Sequence, residues 1–223
     1  MPMHKTIFAL LFTLSAGVAP AIAQSPPQSV EGPGVRVGDT WVFNKIDGRK
    51  GALESISVNT VEKVEKDAIV MSSTSLDGKY PSKIYRTGDF NLVSVDAPGF
   101  KSSALPYYPS YSFPLQVGKT WKRKVELSNS KASDTTVSAE LESRVAGWEM
   151  VTVPAGLFLV LRIETKGRYK GSNYDGSWYG EIEDTLWYSP EARNAVRYEY
   201  KDTSGTTPYN HEIHELARYW LGR

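Results

Sequence analysis

The sequence of 223 residues contains no cysteine. This absence excludes a disulfide framework, a thiolate metal site and a cysteine nucleophile. It also excludes the lipid-modified cysteine of a bacterial lipoprotein, so we expect the exported product to be soluble rather than anchored by its N-terminus. The chain must therefore fold around an apolar core without covalent cross-links, and its length allows this.

Histidine is scarce as well, with three in the whole chain. Two of them, His211 and His214, stand beside Glu212 and Glu215 near the C-terminus. On a helix the two imidazoles could share a metal ion, but on a strand they point to opposite faces. We favour a strand here and therefore expect no metal site.

Sequence motifs for catalysis and nucleotide binding are also missing. There is no GxSxG nucleophile elbow, no GxxxxGK[ST] phosphate loop and no GxGxxG that opens a strand-to-helix unit. We therefore expect no cofactor and assign no catalytic residue.

Charge of one sign is not in excess, because 26 Lys and Arg residues are balanced by 25 Asp and Glu residues. No long basic run occurs either, so attraction to a phosphate backbone or an anionic membrane has no obvious source. We expect no nucleic-acid partner. Beyond the N-terminal segment, no apolar run reaches the length of a transmembrane helix, and we expect no span in the mature chain.

The N-terminus has the layout of a secretory signal peptide. A basic tip precedes an apolar core at 7–14, and small residues lead to Ala23. We predict cleavage after Ala23, which makes 1–23 the signal peptide, and a periplasmic or secreted location in a bacterium. Residues 24–33 are rich in proline and serine and are predicted to be a flexible lead-in to a single β domain over 34–223.

Alternation of apolar and polar residues predicts antiparallel strands through most of the domain. It is clear at 121–127, 135–145 and 196–201, where one face of each strand is polar. The Asp-Gly pairs at 47–48, 77–78 and 175–176 indicate hairpin turns between such runs. We therefore predict an all-β domain of roughly a dozen strands, folded as an antiparallel barrel or a curved half-barrel.

A short motif occurs twice in the domain. Val-Gly-Asp-Thr-Trp at 37–41 is echoed eighty positions later by Val-Gly-Lys-Thr-Trp at 117–121. In each copy a glycine turn is followed by Thr-Trp entering a strand. We interpret the domain as two similar β-units, at about 34–96 and 113–223.

The stretch 147–167 is predicted to contain the central strand. The turn at 154–156, with sequence Pro-Ala-Gly, joins two apolar strands. From Leu157 to Ile163 apolar side chains occupy both faces, so we expect both faces to be buried.

Between the two units, residues 97–114 contain four prolines. Proline confines such a segment to a connector or to the edge of a sheet. Its rings, notably Tyr107, Tyr108 and Tyr111, could close one end of a barrel like a lid or merely cover a seam, and we favour the seam.

Aromatic residues are dense in the hairpin predicted at 166–190. Tyr169, Tyr174, Trp178 and Tyr179 are the candidate ligand-binding residues, with glycines between them that would let a ligand approach the backbone. Aromatic residues also pair across hairpins as ordinary strand formers, and we favour this structural explanation.

The chain contains a set of short motifs at 37–41 (VGDTW), 113–121 (FPLQVGKTW), 153–158 (VPAGLF), 186–190 (LWYSP) and 215–219 (ELARY). Together they resemble a group of uncharacterised secreted β-rich domains of bacteria. The resemblance implies an exported β-fold without an established activity and supplies no catalytic residues. The chain departs from the group at 189–194, where such proteins often have a glycine-containing turn.

Three functions are compatible with these observations. The leading hypothesis is a non-catalytic envelope protein that binds an apolar or amphipathic, lipid-like molecule in the barrel. The second is a glycan-binding module that uses the aromatic hairpin at 166–190. The third is an envelope glycan hydrolase that uses Glu181 and Glu183, which share one face of a strand, although solvated strand faces have the same pattern. The sequence does not indicate an oligomeric state.

Overall fold

The computed structural model describes residues 26–132, 135–204 and 210–223. The predicted signal peptide at 1–23, with its cleavage point after Ala23, lies outside these ranges. No helix within them is both long and apolar enough to cross a membrane.

The strands of the domain are β1 (Thr40–Asp47), β2 (Ala52–Val64), β3 (Ala68–Ser75), β4 (Ser82–Thr87), β5 (Leu92–Ala97), β6 (Phe100–Tyr108), β7 (Thr120–Asn129), β8 (Thr136–Val153), β9 (Gly156–Asn173), β10 (Gly176–Ser189), β11 (Asn194–Ser204) and β12 (Asn210–Trp220). A short 3-10 turn, Ser130–Ala132, lies between β7 and β8. The twelve strands are antiparallel and follow one another around a closed barrel. β1 pairs with both β2 and β12, which closes the barrel. The predicted all-β antiparallel barrel is confirmed.

The two halves of the barrel begin with the same turn. β1 follows Gly38 and β7 follows Gly118, whose φ angles are 89° and 86°. In each half the glycine N–H donates to the carbonyl of a valine on the next strand, β2 or β8. The N–H of that valine donates to the carbonyl of the residue that follows the glycine. The bonds are Gly38 to Val61 and Val61 to Asp39 in the first half, and Gly118 to Val145 and Val145 to Lys119 in the second, all 2.9 Å. The same turn thus precedes β1 and β7, and the division into two similar β-units at about 34–96 and 113–223 stays a prediction.

The barrel has two unlike ends. Odd-numbered strands begin and even-numbered strands finish at one end of the barrel, which we call the closed end. The other end, which we call the hairpin end, carries turns such as the one between β3 and β4. Three segments cover the closed end: the lead-in, the connection between β6 and β7, and the tip of the β8–β9 hairpin. These three segments therefore lie across this end of the barrel.

The connection between β6 and β7, which we call the plug, comprises residues 109–119. The Asn91 side chain fixes it, because its amide donates to Tyr111 O at 3.0 Å and its oxygen accepts from Tyr111 N–H at 2.7 Å. The Tyr111 ring is buried and lies 5.7 Å from the ring of Phe113 and 5.6 Å from that of Tyr188. For Tyr111 the lid interpretation is right, and the seam that we favoured from the sequence is wrong.

The first part of the proline-rich segment is a strand rather than a connector or an edge. Residues 100–108 form β6, which pairs with β5 on one side and β7 on the other. Pairing with β7 ends at Leu105, and the register with β5 shifts before Tyr108. Pro106 falls in this interruption, where the hydrogen-bond ladder needs no donor from it.

The expectation that β9 is buried on both faces is wrong for its first residues. Leu157 is 61% exposed, whereas Val160 and Leu161 are both fully buried although they are consecutive. The buried face therefore changes between these two residues. The cause is that the tip of the β8–β9 hairpin folds over the closed end, where Ala155 N–H donates to Leu216 O of β12 at 2.9 Å. The predicted turn before β9 is present.

Residues 26–33 of the predicted lead-in lie against the closed end. Val30 and Leu115 of the plug exchange two backbone hydrogen bonds of 2.9 and 2.8 Å. Pro33 O also accepts a hydrogen bond from the Tyr188 hydroxyl at 3.1 Å. The flexibility of the lead-in stays a prediction, and these contacts show where the segment docks.

Candidate ligand cavity

A cavity of about 350 Å³ lies inside the barrel, next to the plug. One part of its wall is apolar: Phe43, Met71, Ile84, Leu92 and Leu186. The rest is mostly polar: Ser57, Asn59, Arg86, Tyr108, Tyr198, Tyr200 and His214. The arrangement can enclose a small molecule that has both an apolar and a polar part.

Strand alternation places these side chains on the inner face. Met71 of β3 pairs with Ile84 of β4, and Arg86 is two residues further along the same strand. Residues two apart on a strand point to the same face, so Arg86 shares the inner face with Ile84. On another part of the wall, Tyr198 of β11 and His214 of β12 are cross-strand partners, so their side chains share one face of the sheet.

Arg86 lines this cavity and carries a guanidinium group. Its Nη1 donates to Phe90 O at 2.8 Å, and its guanidinium lies 4.5 Å from the centre of the Phe90 ring. The buried Nε has no hydrogen-bond partner among the described residues. Burial lowers the pKa of Arg86 from its ordinary value, with a smaller opposing effect from Tyr111. Because Arg86 lines the cavity, its guanidinium can donate hydrogen bonds to a ligand there.

Asp184 of β10 is a buried acid, 2% exposed, that lines neither this cavity nor its neighbour. The Tyr108 hydroxyl donates to Asp184 Oδ2 at 2.5 Å, and Thr165 also bonds to this carboxylate. Burial raises the pKa of Asp184 from 3.8 to about 6, against the opposing effect of these two hydrogen bonds. Its Oδ1 has no partner within the described ranges.

Tyr108 separates the main cavity from a second one of about 240 Å³ toward the hairpin end. Together with Leu92 it lines both cavities, and the second is otherwise lined largely by small and aliphatic residues such as Ser103, Leu127 and Val137. Because Tyr108 is held by Asp184, the partition between the two cavities is fixed by a hydrogen bond.

The four predicted ligand-binding residues do not share a face. Tyr169 is buried inside the barrel, where its hydroxyl donates to Asp202 at 2.8 Å, and Trp178 is half-buried beside it in the second apolar cluster. Tyr174 and Tyr179 are 94% and 79% exposed, at the hairpin tip and on the outer surface. A single platform of four rings is therefore wrong, because Trp178 and Tyr179 are adjacent on β10 and point to opposite faces.

The glycines of this hairpin make room for its own rings. A Cβ on Gly171 would lie 2.2 Å from the Trp178 ring, and one on Gly180 would lie 2.6 Å from the Tyr169 ring. Each ring thus packs on the glycine opposite it on the neighbouring strand. The expectation that these glycines open the backbone to a ligand is wrong for both positions.

The acid pair considered for catalysis lies on the outer surface. Glu183 accepts from Lys166 Nζ at 2.9 Å and Glu181 accepts from Arg168 Nε at 3.2 Å. All four side chains are mostly exposed. These contacts are surface ion pairs across the β9–β10 hairpin, and both acids line an outer depression of about 450 Å³ together with their basic partners.

The two C-terminal histidines occupy different environments on β12, which is a strand as predicted. His214 lines the cavity, whereas His211 Nε2 lies 2.8 Å from Glu199 Oε1. Across the described part of the chain, no group of three His, Asp or Glu residues is placed to hold a metal ion.

Sequence reasoning missed Arg86 and Asp184 as interior residues. A signal was present for both, because each stands two positions from an inward residue: Arg86 from Ile84, and Asp184 from Leu186. A polar residue that stands two positions from an apolar core residue on the same strand can therefore be predicted to point into the barrel.

No family model and no curated protein matches the chain. Two solved structures share the fold with a TM-score of 0.51: a candidate lipoprotein from Parabacteroides distasonis ATCC 8503, 17% identical over 83% of this chain and 96% of that one, and a candidate exported protein with a YmcC-like fold from Bacteroides fragilis NCTC 9343, 16% identical over 83% and 97%. The hypothetical lipoprotein YmcC from Escherichia coli (K12) gives a TM-score of 0.45 at 13% identity over 81% and 84%. At these identities the likeness to the first two structures shows a common fold.

Proposed function

We propose that this chain is an exported cell-envelope protein that binds one small amphipathic molecule inside its barrel without transforming it. The observation that carries the proposal is the cavity beside the plug, with Phe43, Met71 and Ile84 on one side and a polar wall on the other. A molecule with a polar head and an apolar tail matches both surfaces.

The size of the cavity supports this proposal. Small-molecule sites in proteins commonly enclose roughly 300–1,000 Å³. The cavity of about 350 Å³ lies at the lower limit, and the adjoining one of about 240 Å³ shares Tyr108 and Leu92 with it. Barrels that hold one small ligand use their interior in this way.

An envelope location is supported by two independent features. The N-terminal segment has the layout of a secretory signal peptide. Of the two structures that share the fold, one is described as a lipoprotein and the other as an exported protein. We extend that location to this chain as part of the proposal.

A binding role fits the geometry better than hydrolysis. The acids Glu181 and Glu183 are engaged in ion pairs on the outer surface, away from the cavity. Asp184 is buried behind Tyr108 and does not line the cavity. Neither arrangement places two carboxyl groups on opposite sides of a bond to be cleaved.

Uptake of a fluorescent fatty acid by delipidated protein tests the proposal. We expect saturable binding with one site per chain, and a loss of at least tenfold in affinity for Ser57→Trp, because the indole would occupy the cavity. Ser177→Trp is the matched control, since Ser177 is exposed on the same outer face of β10 as Tyr179 and does not line the cavity. Absence of saturable uptake, or equal affinity of the two variants, would overturn the proposal.

A further inference from the structure

We propose that the cavity selects an amphipathic ligand whose head group is an anion, a carboxylate or a phosphate, bound by Arg86. This inference rests on the proposed function, because it names the chemistry of the ligand that the barrel would hold. The inference goes beyond the proposed function because it assigns the residue that recognises the head group and the sign of the charge on that head group.

The first argument is that the positive charge of Arg86 has no carboxylate partner. No ion pair involves this side chain among the described residues, and its hydrogen bond goes to the neutral Phe90 carbonyl. A guanidinium screened from solvent is costly unless an anion pairs with it. Burial already lowers the pKa of Arg86, which is the direction expected for an uncompensated cation.

The second argument is that the interior acids are engaged elsewhere. Glu212 lies 3.0 Å from Lys45 Nζ and 3.6 Å from His214 Nε2. These partners, His214 before Lys45, lower the pKa of Glu212 to about 2, so this acid is ionised and already paired. Asp184 accepts its hydrogen bonds from Tyr108 and Thr165 and does not reach the cavity wall. An external anion is therefore the available partner for Arg86.

The third argument is that further hydrogen-bond donors line the same cavity. Asn59 and Ser57 present an amide and a hydroxyl from β2. Tyr198 presents its ring and hydroxyl from the far wall, and burial raises its pKa well above the ordinary value, so the hydroxyl stays protonated. Charge-assisted bonds from a guanidinium to a carboxylate or phosphate are about twice as strong as neutral ones, so Arg86 dominates the selection.

The apolar part of the ligand has its own surface next to Arg86. Ile84 precedes Arg86 on the inner face of β4, toward the hairpin end, and Leu92 of β5 is paired with Arg86. Met71 is opposite Ile84. The head group would thus lie near the plug and the tail would extend from it along these three side chains.

Calorimetric titration of the delipidated full chain at pH 7 tests the inference. The ligands are octanoate, octyl phosphate and octanol, which share one tail and differ in the head group. We expect octanoate or octyl phosphate to bind at least tenfold more tightly than octanol, and the better of the two identifies the head group. In Arg86→Met the preferred anion should lose at least tenfold while octanol is unchanged, and Arg86→Lys should recover part of the loss.

The control variant is Arg144→Met, an exposed arginine of the outer face. This variant should leave all three affinities unchanged. If the loss in Arg86→Met came only from the lower net charge, Arg144→Met would show the same loss. Equal binding of the anions and octanol by the unmodified protein would overturn the inference while leaving the cavity proposal standing, and this comparison needs no variant. Failure of all three ligands to bind would instead refute the proposed function, and the inference with it.

Discussion

The carboxylate of Asp39 lies 3.0 Å from Nη1 of Arg193, a residue 154 positions away in the sequence. Asp39 is fully buried and also accepts hydrogen bonds from the N–H groups of Arg36 at 2.8 Å and Gly222 at 2.7 Å. One side chain thus joins the start of β1, the turn between β10 and β11, and the segment after β12. These are the elements that meet where the barrel closes.

Replacement of this aspartate should destabilise the barrel. We expect Asp39→Asn to lower the free energy of unfolding by about 3 kcal/mol, because removal of one partner leaves the other charge unpaired in a mostly buried site. Urea denaturation at pH 7 measures the effect. Glu142→Gln is the control, since its pair with Lys122 is exposed on the outer surface and should contribute less than about 1 kcal/mol. Similar losses in both variants would contradict the importance of the closure.

Two glycines on neighbouring strands should respond in opposite directions to alanine. A Cβ on Gly167 would lie 2.1 Å from the Glu140 carbonyl oxygen, a backbone atom that cannot move aside. We expect Gly167→Ala to cost about 3 kcal/mol, as overpacking does. At Gly147 nothing lies within 4 Å, so Gly147→Ala should be neutral or stabilise the protein by about 0.5 kcal/mol. Thermal denaturation of the two variants checks both signs, and a stable Gly167→Ala would show that β8 and β9 can separate.

The titration of Asp184 should make the barrel less stable as the pH rises. Its pKa in the folded protein is about 6, above its ordinary value of 3.8, so between these values the folded state binds more protons than the unfolded state. Stability contributed by the protonated form is present below pH 4 and is lost as the pH rises through 6. A rise of this size corresponds to about 3 kcal/mol.

Asp184→Asn checks this dependence because the amide does not titrate and can still accept from Tyr108. Relative to the unmodified protein, the variant should gain up to about 3 kcal/mol in free energy of unfolding between pH 4 and pH 7. Glu183→Gln, one residue away on the outer face, should give no comparable gain. Parallel pH profiles for Asp184→Asn and the unmodified protein would show that this carboxyl is not desolvated.

Much of the fold follows from local sequence. Alternation along 135–145 predicts β8, and the Asp-Gly pairs predict turns that connect successive strands. The repeat of the Val-Gly-x-Thr-Trp motif predicts two similar halves, and its physical basis is the glycine turn that hydrogen-bonds to Val61 in one half and to Val145 in the other. These features depend on neighbouring residues and are therefore visible without knowledge of the whole chain.

The errors arise where distant segments meet. Leu157 reads as a core residue, yet the hairpin that carries it folds over the closed end and turns this side chain outward. Tyr111 reads as part of a connector, yet Asn91, twenty positions away, draws it into the barrel. The interior position of Arg86 was missed for the same reason. The face of β4 that carries Arg86 is enclosed only because distant strands close the barrel.

The pairing of β1 with β12 runs from Thr40 and Trp220 to Asp47 and Glu212. The first and last strands are thus as close as any hairpin pair, and a Cβ on Gly222 would lie 2.4 Å from Val37 O. A linker of a few residues could join the two ends of the barrel, and the chain could then be opened at the exposed turn at 77–78 with every strand keeping its neighbours. We therefore expect a circular permutant of this chain to fold into the same closed barrel, although its strands would follow one another from a different starting point.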